Sequence, residues 1–254
     1  MKTINKLTTF CWDLLFPVFC LGCGEQNDVA STYLCADCFN KIRLRDKWEC
    51  AFCGAPSRFG RTCPFCLATR NPAQPDQQLH SLDYLWPATD YRQALVRKAL
   101  GAHKYRFIKT LSTPLTQLVI QFLKTKKLLP RLQQARDQLV LIPVPLHRQR
   151  LNWRSFNQSE LLAAQVGTAL ELPVSENILI RRQRRKTQVE VKDMAKRPGN
   201  IQGVFAINPQ SDLKGKSVLL FDDVATSGST LDECARLLKQ AGASEVIGIT
   251  IAKG

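Results

Sequence analysis

Two sets of residues in this 254-residue chain have the types and spacing to do chemistry. The first is the acidic pair Asp222 and Asp223, set at the end of the apolar run Val218 to Phe221 and followed by Ala225, Thr226, Ser227, Gly228, Ser229 and Thr230. A turn of small, hydroxyl-bearing residues can wrap backbone N–H groups around a phosphate. Gly228 permits the tight backbone, the hydroxyls add donors, and a helix starting near Thr230 contributes the positive end of its dipole. Two carboxylates beside a phosphate would repel it, so they need another target. Ribose hydroxyls, which donate hydrogen bonds to carboxylates, are one, and a Mg²⁺ ion nearby is another. The plain alternative is a strand-to-helix turn rich in small residues for geometry alone. The order of apolar strand, acid pair and loop argues for a site. No catalytic residue is assigned.

The second set is cysteine. Ten cysteines in a small secreted chain would read as disulfides, but eight of these fall in four Cys-x-x-Cys pairs within the first 66 residues. Eleven residues separate the pair Cys20 and Cys23 from the pair Cys35 and Cys38, and nine separate Cys50 and Cys53 from Cys63 and Cys66. Each Cys-x-x-Cys turn offers two thiolates to a tetrahedral ion and a second turn completes it, so the expected cofactors are two structural Zn²⁺ in a double zinc ribbon. Pairing in sequence order is favoured over interleaving. A redox dithiol usually occurs singly beside a βαβ unit, which disfavours that reading. Closed Cys₄ zinc has no open coordination position, so the module is expected to stabilise and dock rather than catalyse. Cys11 and Cys234 lie outside the pairs and read as small buried hydrophobes.

Charge supplies a third feature. The formal net charge is +15, a field that favours polyanionic partners. Arg181, Arg182, Arg184, Arg185 and Lys186 form one basic cluster; Arg148, Arg150 and Arg154, interleaved with Trp153 and Phe156, form another. Arginines that neutralise phosphates beside an aromatic that stacks on bases would hold single-stranded nucleic acid. The rival reading has the same arginines holding a pyrophosphate, and a third is a solvated face.

The elements that must position these residues follow from periodicity. Residues 1–70 are cysteine-rich and weakly periodic, 71–80 are polar and proline-bearing, and 81–254 alternate helical and strand patterns. They read as a zinc-ribbon module, a linker and an α/β domain. Apolar residues from Leu82 to Leu123 recur at helical spacing and predict two helices divided near Gly101. LVLIPVPL from Leu139 predicts a buried strand, SFNQSELLAAQVGTALEL from Ser155 a capped helix, and NILI from Asn177 a short strand. Strand VLLF, a helix to about Gln240 with Gly242 as its stop, and strand EVIGITI close the chain. Apolar strands alternating with helices predict a parallel sheet covered on both faces. The lysines and apolar residues at the N-terminus are interrupted by Asp13 and Pro17 and lack a small-residue cleavage site, and no apolar run reaches the length of a membrane span. The protein is expected in the cytoplasm.

The acidic pair and its loop resemble the motif for 5-phosphoribosyl-1-pyrophosphate (PRPP) in type I phosphoribosyltransferases. There the acids hold the ribose and a Thr-Thr-Gly-x-Thr loop holds the 5-phosphate; here Ser227 stands at the second threonine. PVPLHRQRLNWRSFNQSELLA, from Pro143, resembles the ComF family of natural-transformation proteins, with Arg150, Arg154, Phe156, Asn157 and Gln158 on matching positions and Ser155 in place of the usual glycine. The cysteine module, YRQALVRKALGAHKY from Tyr91 and RPGNIQGVF from Arg197 fit the same family. Between Arg185 and Asn200 the family tends to Thr-x-x-Gln, whereas here Thr187 is followed directly by Gln188. This region closes over the active site in type I enzymes, so the departure bears on turnover more than on binding.

The resemblance implies a type I phosphoribosyltransferase-like parallel sheet flanked by helices, behind an N-terminal zinc-ribbon module. Its implied ligands are PRPP, with Mg²⁺ accompanying it, and single-stranded DNA, and its implied partners are other DNA-uptake proteins. The alternative is an active phosphoribosyltransferase that moves phosphoribose from PRPP to an acceptor in nucleotide metabolism.

Overall fold

A computed structural model describes residues 17–27, 33–68, 70–71, 74–78, 80–146, 157–182 and 203–254. The N-terminal module is built from two copies of one unit. In each, a turn carrying the first cysteine pair is closed by an antiparallel bridge, Phe19 with Gln26 and Glu49 with Pro56. A short helix then follows the third cysteine, α1 (Ala36–Asn40) after Cys35 and α2 (Pro64–Ala68) after Cys63. In the connecting segment β1 (Arg70–Asn71) and β2 (Gln74–Gln78) form a small antiparallel pair.

The main sheet comprises β3 (Tyr84–Asp90), β4 (Leu139–Pro143), β7 (Ser217–Ala225) and β8 (Glu245–Lys253), in the order β3-β8-β7-β4, all parallel. Between β3 and β4 run α3 (Ala94–Tyr105), α4 (Ser112–Thr125) and α5 (Leu129–Gln134). Helix α6 (Gln158–Leu170) follows β4, and α7 (Ser229–Gln240) connects β7 to β8. A separate antiparallel pair, β5 (Leu179–Arg181) with β6 (Phe205–Ile207), lies beside α7.

Both faces of the sheet are covered, as its unbroken apolar strands require. Leu219 and Phe221 of β7 join one core with Trp86, Phe122, Leu162, Ile249 and Ile251. Their neighbours Val218 and Leu220 join the other, with Leu231, Cys234, Leu238 and Phe205. Helix α4 packs on β3 and β8, α6 on β4 and β7, and α7 on β7 and β8.

Strand β3 was not legible as a strand, and its place in the sheet explains why. Pro87 lies in its middle, and a proline has no N–H for a ladder, so it is tolerated where one side of the strand needs no donor. β3 is that edge. The zinc module covers it at both ends, bridging Leu44 to Thr89 and Arg61 to Tyr84. Arg45 N donates to Ala88 O at 2.8 Å, Thr62 N to Asp83 O at 2.7 Å, and Trp86 Nε1 to Phe59 O at 2.8 Å. Trp48 meets Phe122 edge-on, and Cys20, Leu34, Cys38 and Ile42 join the core beneath α3 and α4. An edge strand left bare would invite pairing with another chain; here the module occupies it.

Two helix boundaries also differ from expectation. Gly101 lies inside α3, because one glycine costs about 1 kcal/mol and the buried stripe of Val96, Ala99, Leu100 and Ala102 outweighs that. Helix α6 begins at Gln158, where the Asn157 side chain accepts from Ser159 N at 3.1 Å; Ser155 lies outside the described residues. No helix among the described residues is long and apolar enough to cross a membrane.

Candidate functional site

The carboxyl end of β7 stands free of one neighbour. β4 ends at Pro143 opposite Phe221, and Val144 N donates to Phe221 O at 2.9 Å, while β7 continues beside β8 to Ala225. Asp222 and Asp223 therefore lie on β7 past the last residue of β4, toward the carboxyl end of the sheet, the end at which open α/β sheets place ligands. Because strand side chains alternate, the two carboxylates diverge. Asp223 is 8% exposed and pairs with Lys104 of α3, Nζ to Oδ1 at 2.8 Å. Asp222 Oδ1 accepts from Ser159 Oγ at 3.1 Å and from Asp223 N at 2.9 Å.

Burial above all, and then the neighbouring Asp223 charge, push Asp222 up to about 7; Lys104 and the two hydrogen bonds pull it back. A carboxyl poised there accepts a hydroxyl's hydrogen bond once its proton leaves. Burial above all, and the charges of Asp222 and Glu233, push the Cys234 thiol well up, and Arg181 pulls it back.

After Ala225 the chain turns through Thr226, Ser227 and Gly228 into α7. Gly228 has φ 77°, the left-handed region in which a side chain is strained. It serves as the N-cap of α7 and offers no capping side chain. Ser229 N donates to Ser227 Oγ at 3.4 Å, and no side chain at the N-cap competes with an anion for the first-turn N–H groups that follow. Ser227 Oγ lies 2.8 Å from Ser229 Oγ, and Thr226 and Ser227 are exposed.

The cysteines gather in sequence order into two groups, Cys20, Cys23, Cys35 and Cys38, and Cys50, Cys53, Cys63 and Cys66; within each, all four sulfurs lie within 4.8 Å of one another. Measured edges are 3.6 Å for Cys20–Cys35, 3.9 Å for Cys23–Cys35 and 3.6 Å for Cys53–Cys63. A tetrahedron of thiolates about 2.3 Å from zinc has edges of about 3.8 Å, so the sulfurs fit the ion. Backbone N–H groups point at the sulfurs in the same way in both copies, Cys35 N and Cys63 N at 3.4 Å from Cys20 and Cys50, and Cys38 N and Cys66 N at 3.5 Å from Cys35 and Cys63. Gly22 is required, since a Cβ there would collide with Cys38 Sγ. Both ions would be structural, for neither set leaves an open position.

Residues 157–254 match the phosphoribosyl transferase domain family and residues 11–67 the double zinc ribbon domain family. The chain is 28% identical over 235 residues to competence protein F of Haemophilus influenzae, covering 91% of this chain and 95% of that one. It is 27% identical to DNA utilization protein YhgH of Escherichia coli K12, covering 92% and 96%. To competence protein ComFC of Bacillus subtilis it is 25% identical, covering 93% and 95%. The chain is thus similar to ComF proteins over more than nine-tenths of its length.

In the ComF-like chain the loop from Ala225 to Thr230 and the acidic pair stand together at the end of β7, as the sequence places them. Arg181 lies over the Phe205 ring at 5.1 Å, and Arg182 is exposed at the end of β5. Arg148, Arg150, Trp153, Arg154, Arg184, Arg185 and Lys186 lie outside the described residues. Sequence reasoning missed Lys104, Ser159, Phe52 and His80. Lys104 sits in the YRQALVRKALGAHKY segment that carries part of the ComF resemblance, a signal that pointed to the segment and not to the residue. Phe52 and His80 have no local signature; the fold lays the Phe52 ring against Gly228 and stacks it on His80, which meets Asp232 of α7.

Proposed function

We propose that this ComF-like protein binds PRPP or a related phosphoribosyl ligand, and single-stranded DNA, and that it assists the entry of DNA into the cytoplasm during natural transformation. The observation that carries the reading is the Asp222–Asp223 pair beside an uncapped helix N-terminus. Carboxylates suit ribose hydroxyls, and the first-turn amides with the hydroxyls of Thr226, Ser227, Ser229 and Thr230 suit a phosphate. Mg²⁺ would accompany the pyrophosphate, as divalent ions commonly accompany phosphates.

The DNA half of the proposal rests on the net charge of +15, on the two basic clusters, and on the names of the relatives, which are competence and DNA utilization proteins. One cluster follows the carboxyl end of β4 along the chain. Arg181 and Arg182 begin the other, at the end of β5. Other DNA-uptake proteins are the proposed partners. Residues 1–70 and 81–254 are proposed as zinc module and transferase-like domain, acting as one docked body.

Isothermal titration of PRPP with and without Mg²⁺, followed by titration of single-stranded oligonucleotides at several salt concentrations, tests both halves. Binding of both ligands supports the reading, and pyrophosphate release with an added acceptor would move it toward an enzyme.

A further inference from the structure

The two Cys₄ clusters are alike in chemistry and unlike in what they touch. The first lies against the helical layer: Cys20 and Cys38 join the core of α3 and α4, and Lys98 Nζ donates to Leu21 O at 3.3 Å. The second reaches the ligand edge of the sheet. Between its ligands Cys50 and Cys53 the knuckle carries Ala51 and Phe52. Ala51 is 4% exposed and belongs to the same apolar core as Leu231 and Cys234 of α7.

Phe52 is held between two partners. A Cβ built on Gly228 would lie 3.5 Å from Cε1 of Phe52, so the ring lies directly against the left-handed residue of the Thr226–Thr230 turn. The ring also stacks on His80, with centroids 3.5 Å apart and planes 3° from parallel. His80 Nδ1 in turn lies 2.8 Å from Asp232 Oδ2 in the first turn of α7, whose other oxygen accepts from Ser81 N at 2.7 Å and Leu82 N at 3.1 Å. On the near side of the turn, Lys253 Nζ donates to Ala51 O at 3.2 Å, and the next residue, Gly254, donates its N–H to Ala225 O at 2.9 Å. The knuckle is therefore fastened to the start of the turn through β8 and to its end through His80.

We propose that Phe52 is a positioning residue for the Thr226–Thr230 turn, and that the second zinc cluster, unlike the first, holds the ligand site in shape. Ligation at Cys50 and Cys53 fixes the backbone on either side of Phe52; without it the ring loses its fixed place over Gly228. The turn has no capping side chain of its own at Gly228, so the ring and the Asp232 contacts supply order that the local sequence lacks. The inference rests on the reading of this turn as the phosphate loop only for its consequence in binding; the coupling itself concerns backbone order.

The test uses the full chain and compares Phe52→Ala, Phe52→Tyr, Cys53→Ser and Cys23→Ser. The last two remove matched, exposed ligands from the second and first clusters. Zinc content, hydrogen exchange of amides 225–232, and PRPP titration with Mg²⁺ are read for each. Phe52→Ala should retain two zinc ions yet exchange faster in 225–232 by roughly three- to ten-fold, the effect of removing one aromatic stack, while α4 is unchanged. Phe52→Tyr should restore protection. Cys53→Ser should loosen the same amides and weaken PRPP binding, and Cys23→Ser should do neither. Should a cysteine variant fail to fold, His80→Ala breaks the same chain of contacts without touching a ligand and should loosen the turn as Phe52→Ala does. Unchanged exchange in both Phe52→Ala and His80→Ala, or equal loosening by Cys23→Ser and Cys53→Ser, overturns the proposal. A wild-type protein that binds no PRPP but shows the exchange pattern would sink the ligand reading and leave the coupling standing.

Discussion

Lys104 Nζ lies 2.8 Å from Asp223 Oδ1, and both side chains are largely withdrawn from solvent. The pair ties α3 to the end of β7 and places a cation beside two carboxylates that would otherwise repel each other. Lys104→Met removes one partner of a mostly buried pair, a loss on the order of 3 kcal/mol. A lowered melting temperature is expected. Because the Lys104 charge favours ionised Asp222, its removal should also shift the pH midpoint of ligand binding upward. An unchanged midpoint would show that Lys104 is only structural.

Asp222 gives the site a defined pH dependence. Its carboxyl is raised from an ordinary value near 3.8 to about 7 in the folded chain, so the folded state holds an extra proton across that window. Its contribution to stability is then fullest below the ordinary value and is lost as pH rises through about 7. Ligand binding runs the other way, since a hydroxyl donor needs the carboxylate. PRPP affinity should rise between about pH 6 and 8 with release of a proton, and Asp222→Asn should flatten both trends. Titrations in buffers of different ionisation enthalpy count the proton.

Two zinc ions per chain are expected by elemental analysis, because eight sulfurs form two sets whose edges match a zinc tetrahedron. Chelation should lower the melting temperature of the whole protein, not of a detached module, since Cys20 and Cys38 belong to the core that contains Trp86 and Phe122. Two separate transitions, with the second unaffected by chelator, would contradict the shared core.

The two cysteine sets and the strand, acid pair, turn and helix at the end of the chain were legible because each is contiguous. Cys-x-x-Cys spacing is a local property, and strand, acid pair, turn and helix follow one another from Val218 to Gln240. What escaped reading is tertiary. Lys104 reaches Asp223 from α3, Ser159 reaches Asp222 from α6, and nothing in either segment declares its partner. β3 was hidden by Pro87, whose missing donor matters only in an inner strand, and edge or inner is a property of the sheet. Helix propensity likewise misplaced a boundary at Gly101, where burial of the rest of α3 decides.

For DNA, converting Arg181, Arg182, Arg184 and Arg185 together to Ala should reduce affinity for single strands and flatten its salt dependence, by about 0.7 in the log–log slope for each phosphate left without its cation. Trp153→Ala should lower affinity with little change in slope, because stacking releases few counterions. If instead the arginines serve only a pyrophosphate, PRPP binding collapses and the DNA titration is unmoved. Gel-shift titrations at several salt concentrations separate the two.

The most direct test is isothermal titration of PRPP with Mg²⁺ into the wild-type protein and into the double variant Asp222→Asn, Asp223→Asn, with folding checked by circular dichroism. Both substitutions keep side-chain volume and remove the charged acceptors, each worth about ten-fold or more in a charge-assisted hydrogen bond. The wild type should bind one PRPP per chain and the folded double variant roughly a hundred-fold more weakly. Equal affinity in the two proteins, or no binding by a folded, zinc-loaded wild type, would contradict the assignment of this strand end as a phosphoribosyl site.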